Sequence, residues 1–102
     1  MPREAIDLPC RVEYLSILDE DANVDAELEP DLPDDLLLRL HRTMLLARRL
    51  DERMLTLQRQ GRIGTFAPVK GQEAAQLGAI AVLGESDWML PSFREMAAAL
   101  WR

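Results

Sequence analysis

The chain has 102 residues, 18 acidic against 12 basic, and a formal net charge of −6. A hydrophobic content of 48% excludes an intrinsically disordered chain, and the acidic balance excludes a nucleic-acid-binding domain, which needs a basic patch to neutralise phosphates. Aromatics are only 5%, and Leu, Ala and Met carry most of the apolar content, which favours helices over an all-β sandwich.

The charge is unevenly placed. Residues 1–35 hold 12 acids and two arginines, a net −10; residues 36–102 hold six acids and ten bases, a net +4. This divides the chain into a solvated acidic arm over 1–33 and a mildly basic body over 34–102. With residues 1–35 set aside, about 67 residues remain, a size at which burial is marginal. The expectation is an incomplete protein or one that depends on a partner. Cys10 is the only cysteine, so no intrachain disulfide forms and a reducing, cytoplasmic compartment is expected. It sits among carboxylates with no nearby histidine and is read as unreactive. The N-terminus has no apolar stretch of signal-peptide type, and the longest uncharged apolar run, 77–83, is far too short to span a bilayer.

In chain order, Val12, Tyr14 and Ile17 hint at a short strand, and the 19–23 cluster is turn chemistry, so a small hairpin is predicted in the arm. Residues 25–35 carry Pro30, Pro33 and six acids, which suits an extended linker. The stretch 34–60 gives the strongest signal. Leu37, Leu40, Met44, Ala47, Leu50, Met54 and Leu57 recur at spacings of 3, 4, 3, 3, 4 and 3, one apolar stripe on a long helix. Asp34 and Asp35 suit its positive N-terminal end, and Gly61 is its stop. Leu36, Leu38, Leu45, Leu46 and Leu55 widen the stripe and predict neighbours on more than one side. His41 has no partner at matched spacing and reads as an ordinary helix residue.

Residues 61–70 form a loop that is apolar at Ile63, Phe66, Ala67, Pro68 and Val69, so it packs against something. Residues 71–83 predict a short helix of small residues. Its Ala74/Gly78 and Ala75/Ala79 pairs would let another backbone approach closely. Trp88, Met89 and Leu90 read as a short buried strand after a turn at 85–87. Ser92 and Glu95 have capping-box spacing, so a third helix is predicted from Phe93. It reaches Arg102 without a stop signal, from which truncation is expected. The fold class is therefore mainly α.

One feature resembles a site. A helix start presents unpaired N–H groups and a positive dipole end, and Arg94 in the first turn would add a bidentate charge. Phosphate or carboxylate would fit beside Phe93; a surface arginine beside a core phenylalanine explains the same residues. Glu73 could serve as a general acid or base, but its place near a helix start is better explained by the dipole and by capping. No catalytic residue and no metal-ligating constellation is assigned to this chain.

Three motifs in order, 59–68 (RQGRIGTFAP), 71–75 (GQEAA) and 87–95 (DWMLPSFRE), resemble the alpha-subunit family of thiamine-diphosphate-dependent 2-oxoacid dehydrogenases, with the nearest likeness to its bacterial pyruvate dehydrogenase branch. The likeness covers roughly residues 12–102. It implies the N-terminal part of an α/β thiamine-diphosphate-binding fold. Phe93 and Arg94 would bind the cofactor, with the arginine toward the pyrophosphate, while Phe66, Ala67 and Pro68 would line the substrate approach. The family usually has Tyr at the place of Phe93, which bears on one polar cofactor contact and leaves the aromatic surface. Some members have His at the place of Ala67. The GDG…N motif that holds Mg²⁺ and the diphosphate is not in this chain, and the glutamate that activates the cofactor ring belongs to the beta subunit. The resemblance implies oxidative decarboxylation of pyruvate, with the acyl group passed to a lipoyl-bearing acyltransferase. It also implies an alpha2beta2 assembly with the beta subunit and a fragment inactive by itself. A branched-chain 2-oxo acid or acetoin as substrate, and a non-catalytic helical interaction module, are the alternatives.

Overall fold

The computed structural model describes residue 3 and residues 9–102. The chain divides into two compact units, Met1–Asp31 and Leu32–Arg102.

In the first unit the predicted hairpin contracts to one isolated antiparallel bridge between Leu18 and Val24. Val12 and Tyr14 are exposed, and no strand forms around them. A two-stranded ribbon needs an apolar face packed on a further element, and a segment this acidic supplies none. The turn itself is well built. The Asp19 carboxylate accepts the Asn23 side-chain amide at 2.9 Å and the backbone N–H groups of Asn23 and Asp21 at 2.8 and 2.9 Å. These bonds, the Asn23 side-chain amide foremost, hold its pKa below the ordinary value because they favour the charged form. Ala22 takes the left-handed conformation the turn requires, at φ 64°.

The second unit consists of three mutually packed helices: α1 (Asp34–Arg59), α2 (Glu73–Ala81) and α3 (Met96–Trp101). Helix α1 follows the predicted stripe and is about 39 Å long at 1.5 Å per residue. Asp34 and Asp35 occupy its first turn, and Pro33, which lacks a donor but keeps its carbonyl, accepts the Leu37 N–H at 3.1 Å. The helix ends at Gly61. With φ 68° this residue closes a paired C-terminal cap: its own N–H donates to Gln58 O at 2.9 Å and that of Arg62 to Leu57 O at 3.0 Å.

The core is small. Ala47, Leu77, Ile80, Ala97 and Ala98 are buried together, ringed by Leu40, Met44, Met89, Leu100 and Trp101. Alanines at the crossings of α1 and α3 let the helices approach closely. The large leucines Leu38, Leu45 and Leu46 lie on the other side of α1 and are more than half exposed, so the second neighbour predicted for that face is not among the described residues.

Two local expectations change. The 88–90 strand does not form: Trp88 and Leu90 are 87% and 89% exposed, and only Met89 packs on the core. No strand partner is present among the described residues, so its backbone has no ladder to join. In α2 the buried face is Glu73, Leu77 and Ile80 rather than the small-residue pairs. Ala75 and Ala79 instead line an open groove of about 540 Å³ between α2 and α3. A Cβ added at Gly78 would meet nothing, so no close backbone crossing exists there in this structure.

Candidate functional site

The site begins with how α1 holds the apolar loop. Three polar side chains on one face of α1 reach the segment 66–73. Gln58 Oε1 accepts the Phe66 N–H. Asp51 Oδ1 accepts the Val69 N–H at 2.6 Å. Arg48 forms a forked ion pair with Glu73, Nε to Oε1 at 2.5 Å and Nη2 to Oε2 at 3.1 Å. Glu73 Oε2 also accepts the N–H of Gly71, which sits at φ 90° to make the turn into α2. An apolar loop can be buried only if its amides find partners, and α1 supplies them. Val69 is thereby fully buried, while Phe66, Ala67 and Pro68 are half-buried between two anchored amides.

Glu73 is 3% exposed. Its Arg48 partner holds its pKa down at about 2, against the opposing effect of burial. A carboxylate so firmly ionised and so fully bonded is a structural tie and is not free to exchange protons with a substrate. The structural reading holds, but its cause is Arg48 more than the helix dipole.

The second half of the site is the entry to α3, where the sequence expectation needs correction. The helix starts at Met96, so Phe93 and Arg94 precede it instead of forming its first turn. Three of the backbone amides in this turn, those of Ser92, Arg94 and Ala97, already have side-chain acceptors. Glu95 folds back to accept the N–H groups of Ser92 and Arg94 at 2.8 and 3.1 Å, which is one half of the predicted capping box. Gln76 of α2 accepts the Ala97 N–H at 3.1 Å and donates to Arg94 O at 2.6 Å. A neighbouring helix therefore does the capping expected of Ser92.

The charged donor of this turn is the Arg94 guanidinium. Arg94 is exposed, and its Nη1 donates to the Pro68 carbonyl at 2.8 Å. The structure thus joins the two predicted groups, Phe93–Arg94 and Phe66–Pro68, through one hydrogen bond. The other guanidinium donors have no acceptor among the described residues and are free to form a fork. Phe93 is 72% exposed, and the guanidinium carbon lies 5.5 Å from its ring centroid, within cation–π range. Phe93 is therefore not a core residue. Neither residue lines the α2/α3 groove.

Pattern reading overlooked Asp51 and Gln58, which bond the loop amides, and Gln76, which caps the entry to α3. Asp51 did carry a signal: an acid four residues after the buried Ala47, on the same helix face. Among the described residues no three His, Cys, Asp or Glu side chains group as a metal site would require, and no helix is long and apolar enough to cross a membrane.

Residues 41–102 match the dehydrogenase E1 component family. Over 92 residues, 89% of this chain, it is 44% identical to the pyruvate dehydrogenase E1 component subunit alpha of Staphylococcus epidermidis (strain RP62A), covering 25% of that protein. Over 96 residues, 93% of this chain, it is 42% identical to the protein of the same name from Staphylococcus aureus (strain Mu50), covering 26% of it. The chain spans about a quarter of the length of these relatives, and no solved structure matches it. The matched residues contain all of α2 and α3, the anchored loop and Arg94. The chain belongs to the dehydrogenase E1 component family.

Proposed function

We propose that this chain supplies the N-terminal portion of the alpha subunit of a pyruvate dehydrogenase, a cytoplasmic enzyme that decarboxylates pyruvate oxidatively and passes the acyl group to a lipoyl-bearing acyltransferase. The observation that carries the reading is the exposed Arg94 guanidinium, held by one hydrogen bond to Pro68 with its remaining donors free, beside an exposed aromatic ring. This donor set fits one edge of a diphosphate: a fixed, permanently charged fork that can meet two oxygens at once. Three nearby backbone amides, those of Ser92, Arg94 and Ala97, are engaged by Glu95 and Gln76, so the guanidinium is the main donor this turn offers. Thiamine diphosphate, when bound, would supply the electron sink that decarboxylation of a 2-oxo acid requires.

This chain's own part is binding and orientation. Arg94 would hold the diphosphate, and Phe93 would cover one side of it. The anchored segment Phe66–Ala67–Pro68 would present an apolar wall toward the substrate and help to exclude water. Mg²⁺ would be held by residues outside this chain. The beta subunit would supply the group that activates the cofactor ring, in an alpha2beta2 assembly. The 102 residues alone are expected to be inactive.

The test is a substrate panel on the full-length alpha/beta protein with thiamine diphosphate. Pyruvate should be preferred over branched-chain 2-oxo acids and acetoin. A preference for a branched 2-oxo acid would overturn the substrate, and no turnover of any of them would overturn the enzyme reading.

A further inference from the structure

Asp51 is a buried carboxylate that the proposed function leaves without a task. It is 1% exposed, and its Oδ1 accepts the Val69 N–H at 2.6 Å; Val69 is equally buried. The carbonyl of that same peptide unit belongs to Pro68, and it accepts Arg94 Nη1 at 2.8 Å. In a planar trans peptide the N–H and C=O point in opposite directions, so gripping one end fixes the direction of the other. A negative group therefore sits at the N–H end and a positive group at the C=O end. Each polarises the peptide in the sense that strengthens the other's hydrogen bond.

We infer that Asp51 is a positioning residue for Arg94, acting through the single peptide between Pro68 and Val69 to set where the guanidinium presents its free donors to the cofactor diphosphate. The inference rests on the reading of Arg94 given above. Released from Asp51, the peptide could rotate, and an exposed arginine on a flexible stem would sample many positions. Groups that orient metal ligands through a hydrogen bond affect affinity by about tenfold to a hundredfold, and the lower end of that range is expected for this arginine.

The experiment measures thiamine diphosphate affinity by calorimetry on the full-length alpha/beta protein, for wild type, Asp51→Ala, Asp51→Asn, Arg94→Ala and the double variant Asp51→Ala/Arg94→Ala. Asp51→Ala should weaken binding about tenfold. Asp51→Asn, whose amide oxygen still accepts the Val69 N–H, should recover most of that loss. In the Arg94→Ala background, Asp51→Ala should add less than about twofold, because the relay then has nothing to position. If Asp51→Ala does not assemble, Asp51→Glu moves the carboxylate one methylene along and should show the same loss and the same non-additivity. Equal losses with and without Arg94, unchanged affinity in Asp51→Ala, or Asp51→Asn as poor as Asp51→Ala would each overturn the inference. Unchanged affinity in Arg94→Ala would instead overturn the cofactor reading on which it rests.

Discussion

The Arg48–Glu73 pair is asymmetric, and that asymmetry makes a sharp prediction. Glu73 is 3% exposed, whereas the Arg48 side chain is 40% exposed. Removing the arginine strands a buried carboxylate that keeps only the Gly71 N–H and its own backbone. Removing the carboxylate leaves a cation that can turn to water. Breaking a buried pair from the side that strands the charge costs about 3–5 kcal/mol, and the partial exposure of Arg48 puts Arg48→Met near the lower end, about 3 kcal/mol. Glu73→Gln keeps an acceptor for Gly71 and should cost about 1 kcal/mol.

The pH dependence follows from the same pair. The carboxyl lies at about 2 in the folded chain against an ordinary 4.5. A depressed folded value contributes stability above 4.5 that is lost as the pH falls through 4.5 toward 2. The ceiling is about 3 kcal/mol, and screening through the exposed arginine reduces it to about 1–2 kcal/mol. Hydrogen exchange read by mass spectrometry on peptides covering Gly71 and α2, in the assembled alpha/beta protein, measures these costs as lost protection. Protection should fall about a hundredfold in Arg48→Met and about fivefold in Glu73→Gln at neutral pH. Equal losses, or a greater loss in Glu73→Gln, would mean that burial of the carboxylate does not set the cost of breaking the pair.

Two further substitutions probe the packing. Ala47 is fully buried where α1 meets the other helices, so Ala47→Leu should overpack the core and cost about 1–3 kcal/mol, read as lower α2 and α3 protection. Gly61 caps α1 at φ 68° with open space around its Cα, so Gly61→Ala should cost about 1 kcal/mol through backbone strain alone, with no steric rearrangement visible in a crystal structure.

The helices were legible because their signals are local. The α1 stripe, the acids at its start and Gly61 at its end fall within one segment, and each acts on that segment alone. The α3 start was legible only in part. The S-x-x-E spacing correctly placed Glu95 on the Ser92 N–H, but the other cap comes from Gln76, 21 residues before Ala97. Nothing in the local sequence announces a cap delivered by another helix. The same holds for the site. Motif order singled out Phe66–Pro68 and Phe93–Arg94, yet the hydrogen bond joining them spans 26 residues. Asp51 was hidden because a periodicity reading counts an acid in an apolar stripe as an interruption, whereas its value here is as the acceptor that lets an apolar loop be buried. The Trp88–Leu90 strand failed for the opposite reason: apolar, β-favouring residues predict a strand only where a partner edge exists.

Arg94 is proposed as the residue that recognises the cofactor diphosphate. That role is read from the affinities of thiamine diphosphate and of thiamine for the full-length alpha/beta protein, with and without Arg94→Ala. The wild-type preference for the diphosphate should shrink by about tenfold or more in the variant while thiamine binding barely changes. A preference that survives the loss of Arg94 intact would contradict that role.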